Sequence, residues 1–552
     1  MEGRIMQSTA PQLDALIVGA GFSGMYMLHE FLKRDFKVRL IDDGEGPGGT
    51  WDKNRYPGAR VDSCIWVYQY TDPDLWMNYH FTEKYPGWKE LQGYFRYVAD
   101  RWNLWPHMSF GQRMTRATFD EHGQQWRVET STGDTVTCRF LIMATGSTTT
   151  PIDPAKFFSG TSKYRGELYH SARWPRDKEV DDLKGKRVAV IGTGASGVQI
   201  IQEVGLVADE LVVFQRTPNL ALPMKQERYT RREYDALKPL FPAAMERTKQ
   251  TFAGFDYDFI YKPWADMSQE ERDRIMRFNW EMGGFWFWLA APVDLVFDED
   301  CNRAHYDFWR RETVKRIKKP ELVELLAPST PPHPFGVKRP CLEQWYWEIY
   351  NQDNVRLVDV NSQPIHEFTE AGIRAGEEEF ELDVVICAIG FDNNTGTMTA
   401  VDIVNSEGRT VRDVWNEEYI DYLGKMVPGF PNLFYTYGLH SPAAFLNGPT
   451  AGELEGDWVV HVISDITRRG ITRIEPRLDV SKQWHEEILD AAAKTLFPKA
   501  KSWYMGANIP GKRPEMLQYP SGAPMYRQKL WDEVERGLSG FILGQPEAAS
   551  VR

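Results

Sequence analysis

Cysteine is scarce in this chain, and none of it pairs by spacing. Cys64, Cys138, Cys301, Cys341 and Cys387 are widely separated, odd in number and form no C-x-x-C motif, so they read as reduced core thiols rather than a disulfide framework. There is no basic tract either. The 65 lysines and arginines are dispersed against 78 acidic residues, and the formal charge of −13 gives no support for nucleic-acid binding. The apolar stretch 283–291 is broken by Pro292 and Asp294 and is too short to cross a bilayer. No charged-then-apolar signal pattern precedes Asp14. These absences predict a soluble, cytoplasmic protein without a membrane span, a monomer or weak oligomer.

What the chain does have is length and aromatic rings. At 552 residues it exceeds one ordinary core, so two or three domains are expected. The apolar share of 42 % and charged share of 26 % suit a globular fold. Its 20 Trp, 24 Tyr and 29 Phe point to large apolar pockets as well as a core.

Two glycine-rich turns lie 173 residues apart: Gly19-Ala20-Gly21-Phe22-Ser23-Gly24 and Gly192-Thr193-Gly194-Ala195-Ser196-Gly197. Each follows a short apolar run, 15–18 and 188–191, and precedes a proline-free segment that can be helical, 25–33 and 198–204. In such a unit the first glycine permits the tight turn, the second lets backbone approach a pyrophosphate, and the third lets helix and strand pack closely. The pyrophosphate then lies at a helix N-terminus, where free N–H groups attract anions. The strands that close the two units end in opposite charge. The first ends on Asp42, 23 residues beyond Gly19, where a carboxylate accepts hydrogen bonds from a ribose diol. The second reaches Gln215 at the same offset and then Arg216, which favours a 2′-phosphate. Two different dinucleotides are therefore expected, the second phosphorylated.

An alternating strand at 125–130 leads through a turn at 132–134 to a buried-type strand halted at Ala144-Thr145-Gly146. A similar strand stops at Ala388-Ile389-Gly390, so the chain leaves its first domain and later returns. Residues 225–330 carry helical spacing rich in charge and aromatics, and a proline-rich loop, 328–340, brings the chain back to the sheet. The predicted fold is α/β, with two Rossmann-like dinucleotide-binding domains and a helical insertion in the second. The tail after Leu543 is expected to fray.

The segment between the two units carries Tyr164, Gly166, His170, Trp174 and Pro175. It resembles the F-x-G-x-x-x-H-x-x-x-W-P fingerprint of type I Baeyer–Villiger monooxygenases, with Tyr164 in place of the leading Phe. Trp51, Asn54, Tyr56-Pro57-Gly58-Ala59 and Asp62 are similar to a second family pattern, and the resemblance runs from Leu16 to about Arg513. It implies FAD in the first domain, NADPH in the second, and a ketone converted to an ester or lactone with O₂. In the family a C4a-peroxyflavin attacks the carbonyl and NADP⁺ stays bound; sulfoxidation is an implied side activity. The implied domains are 1–150 and 391–552 for FAD, 151–224 and 331–390 for NADP, and 225–330 for the insertion.

An anionic oxygen nucleophile needs a fixed cation, and Arg meets that need better than Lys. The resemblance places it at Arg339, with Asp62 as the acid that orients it. Implied cofactor contacts in the first domain are Gly19, Gly21, Phe22, Ser23, Gly24, Asp42, Gly49, Thr50, Trp51, Tyr56, Asp62, Ala144, Thr145 and Gly146. Around the second turn and beyond they are Gly192, Thr193, Gly194, Ala195, Ser196, Gly197, Arg216, Thr217, Lys338, Ala388, Gly390 and Trp503. No metal is expected. Lys338 is expected to reach the 2′-phosphate with Arg216 and Thr217, and Trp503 to lie near the nicotinamide ribose. His170 is read as holding the interdomain link with Trp174 as its packing partner, not as a base. Cys64 lacks the partner that a flavin disulfide reductase needs and is read as inert. Residues 437–448 resemble the substrate-facing loop, and Phe445, Trp286 and Trp288 either wall an apolar pocket or belong to the core. Two other readings are weighed: a flavin-dependent N- or S-monooxygenase, and a non-catalytic flavin-binding interaction module.

Overall fold

Each glycine-rich turn joins a buried parallel strand to a helix, and the two copies share one geometry. In the computed structural model, which describes residues 12–544, strand Leu13–Val18 leads into helix Phe22–Leu32 and returns as the parallel strand Val38–Ile41. Strand Arg187–Ile191, helix Ala195–Val204 and strand Glu210–Gln215 repeat the pattern. Gly19 has φ 115 and Gly192 φ 104; a Cβ on them would come within 2.4 Å of the Ala144 carbonyl and 2.5 Å of the Ala388 carbonyl respectively. At the third glycine the helix rests on the turn itself. A Cβ on Gly24 would sit 1.8 Å from the Gly19 carbonyl, and one on Gly197 2.1 Å from that of Gly192.

The first sheet has the order Asp402–Val404, Met114–Asp120, Gln125–Thr130, Thr135–Met143, Leu13–Val18, Val38–Ile41, Met108–Ser109, with Leu433–Tyr435 also paired to Thr135–Met143. The second is parallel throughout: Val355–Asp359, Glu210–Gln215, Arg187–Ile191, Val384–Cys387, Glu167–His170. Parallel strands covered on both faces need unbroken apolar runs, which 188–191 and 384–387 supply. The chain leaves the first sheet after Met143, builds the second, and rejoins the first at Asp402.

Between Glu210–Gln215 and Val355–Asp359 lie the helices Arg231–Leu237, Phe241–Thr248, Gln269–Met282 and Glu299–Val314. Three of them start where the sequence offers a cap. Thr230 forms a capping box with Glu233, Ser268 accepts the Glu271 N–H, and Asp298 accepts the Cys301 N–H. The aromatic stretch 283–291 is interior, with Phe285, Phe287 and Trp288 all buried. The five cysteines are free and buried. Among the described residues no helix is long and apolar enough to cross a membrane. The tail expected to fray lies, beyond Gly544, outside the described residues.

The close contacts at the third glycines predict a specific fragility. Gly24→Ala and Gly197→Ala must push helix off strand, at about 1–3 kcal/mol each. Gly46→Ala, whose Cβ meets nothing within 4 Å, is the control and should melt like the parent. Thermal denaturation of the three variants side by side checks this.

Candidate active site

The first turn opens onto a cavity of about 440 Å³. Its wall is built from Gly19, Gly21, Phe22 and Ser23 of the turn, Asp42 at the end of the next strand, and Gly49, Thr50 and Trp51. Asp62, Ala144, Thr145, Gly146, Arg339 and Trp503 complete much of the rest, and Ala195 reaches in from the second turn. Gly21 and Gly194 stand at the helix N-caps without a side-chain cap, so the first-turn N–H groups remain available to an anion. Asp42 already accepts the Ala20 N–H at 2.7 Å and the Gly44 N–H at 2.6 Å, which fixes its carboxylate at the rim. A shape open at the glycines, anion-binding at the helix end and acidic at the strand end fits a dinucleotide.

Four cations line this cavity, Lys53, Arg60, Arg113 and Arg339, and Arg339 is the one paired with Asp62. Its Nε and Nη2 each donate to one oxygen of Asp62 at 2.8 Å, a side-on bidentate pair, and its Nη1 donates to the Ala444 carbonyl at 3.0 Å. The face of Phe285 lies 4.8 Å from the guanidinium carbon, and Trp288 lies 6.0 Å away. Burial alone would lower the Arg339 pKa, but Asp62 reverses that and holds it above its ordinary value. Burial pushes the Tyr437 phenol up to about 12 although Arg339 opposes it, so the cation faces a neutral ring on the same wall. The arrangement can stabilise negative charge that develops in the cavity.

Lys338, next in sequence, serves other surroundings. Burial, with Arg216 beside it, pulls its ammonium down to about 8. Thr193 Oγ1 donates to the Thr217 carbonyl at 2.8 Å, tying the second turn to the segment after Arg216. Gly192, Gly194, Ser196 and Gly197 form that turn beside Ala388, while Gly390 takes φ 91 and its carbonyl accepts the Ile152 N–H. These residues, like Gly24, stand outside the cavity wall. Tyr56 also stands outside: its buried hydroxyl donates to Gln199 at 2.9 Å, and Gln199 in turn donates to the Arg60 carbonyl at 3.0 Å. The helix of the second unit thus leans directly on the Tyr56–Asp62 segment.

One expectation needs correction, and one open alternative narrows. Trp174 is not the packing partner of His170; it lies edge-on to Tyr169 at 5.1 Å, while His170 faces Phe391 at 6.5 Å. The reason is strand alternation, since residues 169 and 170 leave Glu167–His170 on opposite faces. Burial pulls the His170 pKa down to about 4, and its Nδ1 accepts the Ala172 N–H at 3.0 Å. Phe445, Trp286 and Trp288 are all absent from the wall of this cavity, although Trp286 borders a second one beside Ile275 and Phe278. Phe445 packs among Phe252, Phe497 and Tyr504; Trp286 stacks on Tyr257 at 4.4 Å. Trp288 stands one layer behind, against Phe285. The sequence does not single out the Phe285 face or the Ala444 carbonyl; its signals are the aromatic density of 283–291 and the resemblance of 437–448 to a substrate-facing loop.

Residues 14–229 match the flavin-binding monooxygenase-like family. The chain is 43 % identical over 536 residues to cyclopentanone 1,2-monooxygenase of Comamonas sp., covering 97 % of each. It is 38 % identical to acetone monooxygenase (methyl acetate-forming) of Gordonia sp., covering 96 % of this chain and 99 % of that one. It superposes with TM-score 0.93 on a crystal structure of OTEMO in complex with FAD and NADP, at 35 % identity over 97 % of this chain and 100 % of that one. On cyclohexanone monooxygenase from Rhodococcus sp. Phi1 bound to NADP⁺ the TM-score is 0.92, at 33 % identity and the same coverage.

If Lys338 meets the 2′-phosphate as expected, its depressed ammonium makes phosphate recognition depend on pH. An anion bound beside it raises its pKa, so binding takes up a proton above about pH 8, and affinity is full below that pH and lost above it. The Kd for NADPH should rise by about tenfold per pH unit above 8, while the Kd for NADH stays flat. Lys338→Arg should flatten the NADPH curve; fluorescence titration at each pH checks both.

Proposed function

The chain belongs to the Baeyer–Villiger monooxygenases within the flavin-binding monooxygenase-like family and works with FAD and NADP(H), and from that premise we propose how its residues divide the work. Bound FAD, reduced by NADPH, supplies the activation of O₂. The protein's share is to hold two nucleotides, keep one charge fixed and shape the wall that meets the ketone.

Residues 1–150 and 391–552 are assigned to the FAD domain, 151–224 and 331–390 to the NADP domain, and 225–330 to the insertion. On the FAD side the first turn takes the pyrophosphate and Asp42 the ribose; Gly49, Thr50, Trp51, Tyr56 and the strand end at Ala144, Thr145 and Gly146 line or support the same cofactor. Gly192 through Gly197, with Ala388 and Gly390 beneath them, take the second pyrophosphate. Arg216, Thr217 and Lys338 select the 2′-phosphate, and Trp503 contacts the ribose of the nicotinamide so that NADP⁺ is retained.

Turning a ketone into an ester or lactone puts negative charge on oxygen both before and after attack at the carbonyl. Arg339 is assigned to that charge, and Asp62 to its orientation. The observation that carries this is the pairing on the cavity wall, where Asp62 at 2.8 Å, Ala444 at 3.0 Å and Phe285 at 4.8 Å fix one guanidinium on three sides. A group held in this way needs little reorganisation when charge develops. The substrate class is extended from the relatives named for cyclopentanone and acetone: a small aliphatic or alicyclic ketone, against the wall of Ala443, Ala444 and Leu446. Thioethers are proposed as side substrates.

The decisive experiment is Arg339→Ala in the FAD-loaded enzyme. Reduction of the flavin by NADPH should persist, while ester formation from cyclopentanone falls by about 10²–10³-fold, comparable with removal of one oxyanion-hole donor. Mass spectrometry of the products across a panel of ketones and thioethers reads the outcome. A normal ester yield would remove Arg339 from the reaction, and sulfoxides without any ester from the parent enzyme would overturn the assignment of substrate class.

A further inference from the structure

The loop that follows strand Leu433–Tyr435 contains two non-glycine residues in the left-handed region, Tyr437 at φ 56 and His440 at φ 55. Side chains with a Cβ stay there only when their surroundings hold them. Each of the two is held by a buried carboxylate from outside the loop. Glu455, inside helix Gly448–Arg468 and 1 % exposed, accepts the Tyr437 N–H at 2.7 Å and pairs with the fully buried Lys425. Asp421, equally buried, meets His440 Nδ1 at 2.6 Å with one oxygen and accepts the Gly424 N–H at 2.7 Å with the other. Gly424 passes directly beneath the loop, where a Cβ would come within 2.8 Å of the His440 carbonyl.

A buried ion pair is weak evidence for stability, because well-packed apolar residues often do as well. What the Lys425–Glu455 pair contributes that apolar residues could not is a directed acceptor for one strained peptide. The loop so held leads to the cavity. Tyr437, Ala443, Ala444 and Leu446 line it, and the Ala444 carbonyl receives Arg339 Nη1. We propose that Glu455 and Asp421 are positioning residues that hold the loop 437–447 in its strained form and thereby set Ala444 against Arg339 and the shape of the ketone-facing wall. The inference rests on the reading of Arg339 and of this loop given above.

Two double variants of the FAD-loaded enzyme isolate the contact. Lys425→Met/Glu455→Gln keeps an amide oxygen for the Tyr437 N–H, whereas Lys425→Met/Glu455→Met removes it; both delete the two charges together, so neither leaves a lone buried ion. In the Met/Met variant the KM for cyclopentanone should rise about tenfold over the Met/Gln variant, with a severalfold larger share of NADPH yielding hydrogen peroxide instead of ester. Flavin reduction by NADPH without ketone should agree between the two within about twofold. Amide hydrogen exchange across 437–447 should be faster by about tenfold in the Met/Met variant. Equal KM, equal coupling and equal exchange overturn the proposal. Asp421→Asn leaves Lys425 and Glu455 intact and gives a second reading that does not depend on those variants folding: its KM should rise about fivefold, and a parental KM overturns the proposal. If Arg339→Ala abolishes ester formation while the Met/Met and Met/Gln variants behave alike, the anchoring fails and Arg339 keeps its role. If Arg339→Ala forms ester normally, the underlying reading falls and takes the proposal with it.

Discussion

A guanidinium that must remain charged while partly enclosed needs a carboxylate beside it, and here the two lie 277 residues apart in sequence. Asp62 comes from the segment after the first βαβ unit, Arg339 from the return of the helical insertion, Ala444 from the loop beyond the first sheet, and Phe285 from the insertion itself. Four distant pieces of chain therefore converge on one cation. Removing a partner from a buried charge is far more damaging than the intact pair is beneficial. That asymmetry links the insertion and the first-sheet side to a common geometry, because none of the four pieces can drift without leaving the cation short of a contact.

The two glycine turns supply the complementary constraint. Their helix-on-turn and turn-on-strand contacts are so close that side chains are excluded at the same places in both copies. The copies also touch, since Gln199 in the helix of the second receives Tyr56 and donates to the Arg60 carbonyl beside the first. Gly58 fits beneath that helix, where a Cβ would approach the Gln199 carbonyl to 2.5 Å. A single helix thus carries one glycine-rich turn at its start and braces the segment after the first βαβ unit along its body.

Legibility in the sequence followed distance along the chain. The turns, their strands and the opposite charges at Asp42 and Arg216 could be read because each depends on spacing within about 25 residues. The α/β class followed from finding that pattern twice. Arg339 and Asp62 were reachable only through family resemblance, since no local rule brings residues 62 and 339 together. The Phe285 face and the Ala444 carbonyl were not legible, because one is a packing contact and the other a backbone atom whose side chain carries no signal. Trp174 lies close to His170 in sequence yet packs on Tyr169, because strand alternation sends neighbouring rings to opposite sides.

The adjacency of Lys338 and Arg339 has a consequence for spacing. Arg339 precedes Pro340, which favours extended backbone, so neighbouring side chains diverge, one toward Arg216 and the other toward Asp62. A residue added or deleted between the turn at Gly336 and Pro340 would shift the pair against both companions at once. With Arg216 on one side and Asp62 on the other, the count of residues between that turn and Pro340 is fixed from two directions.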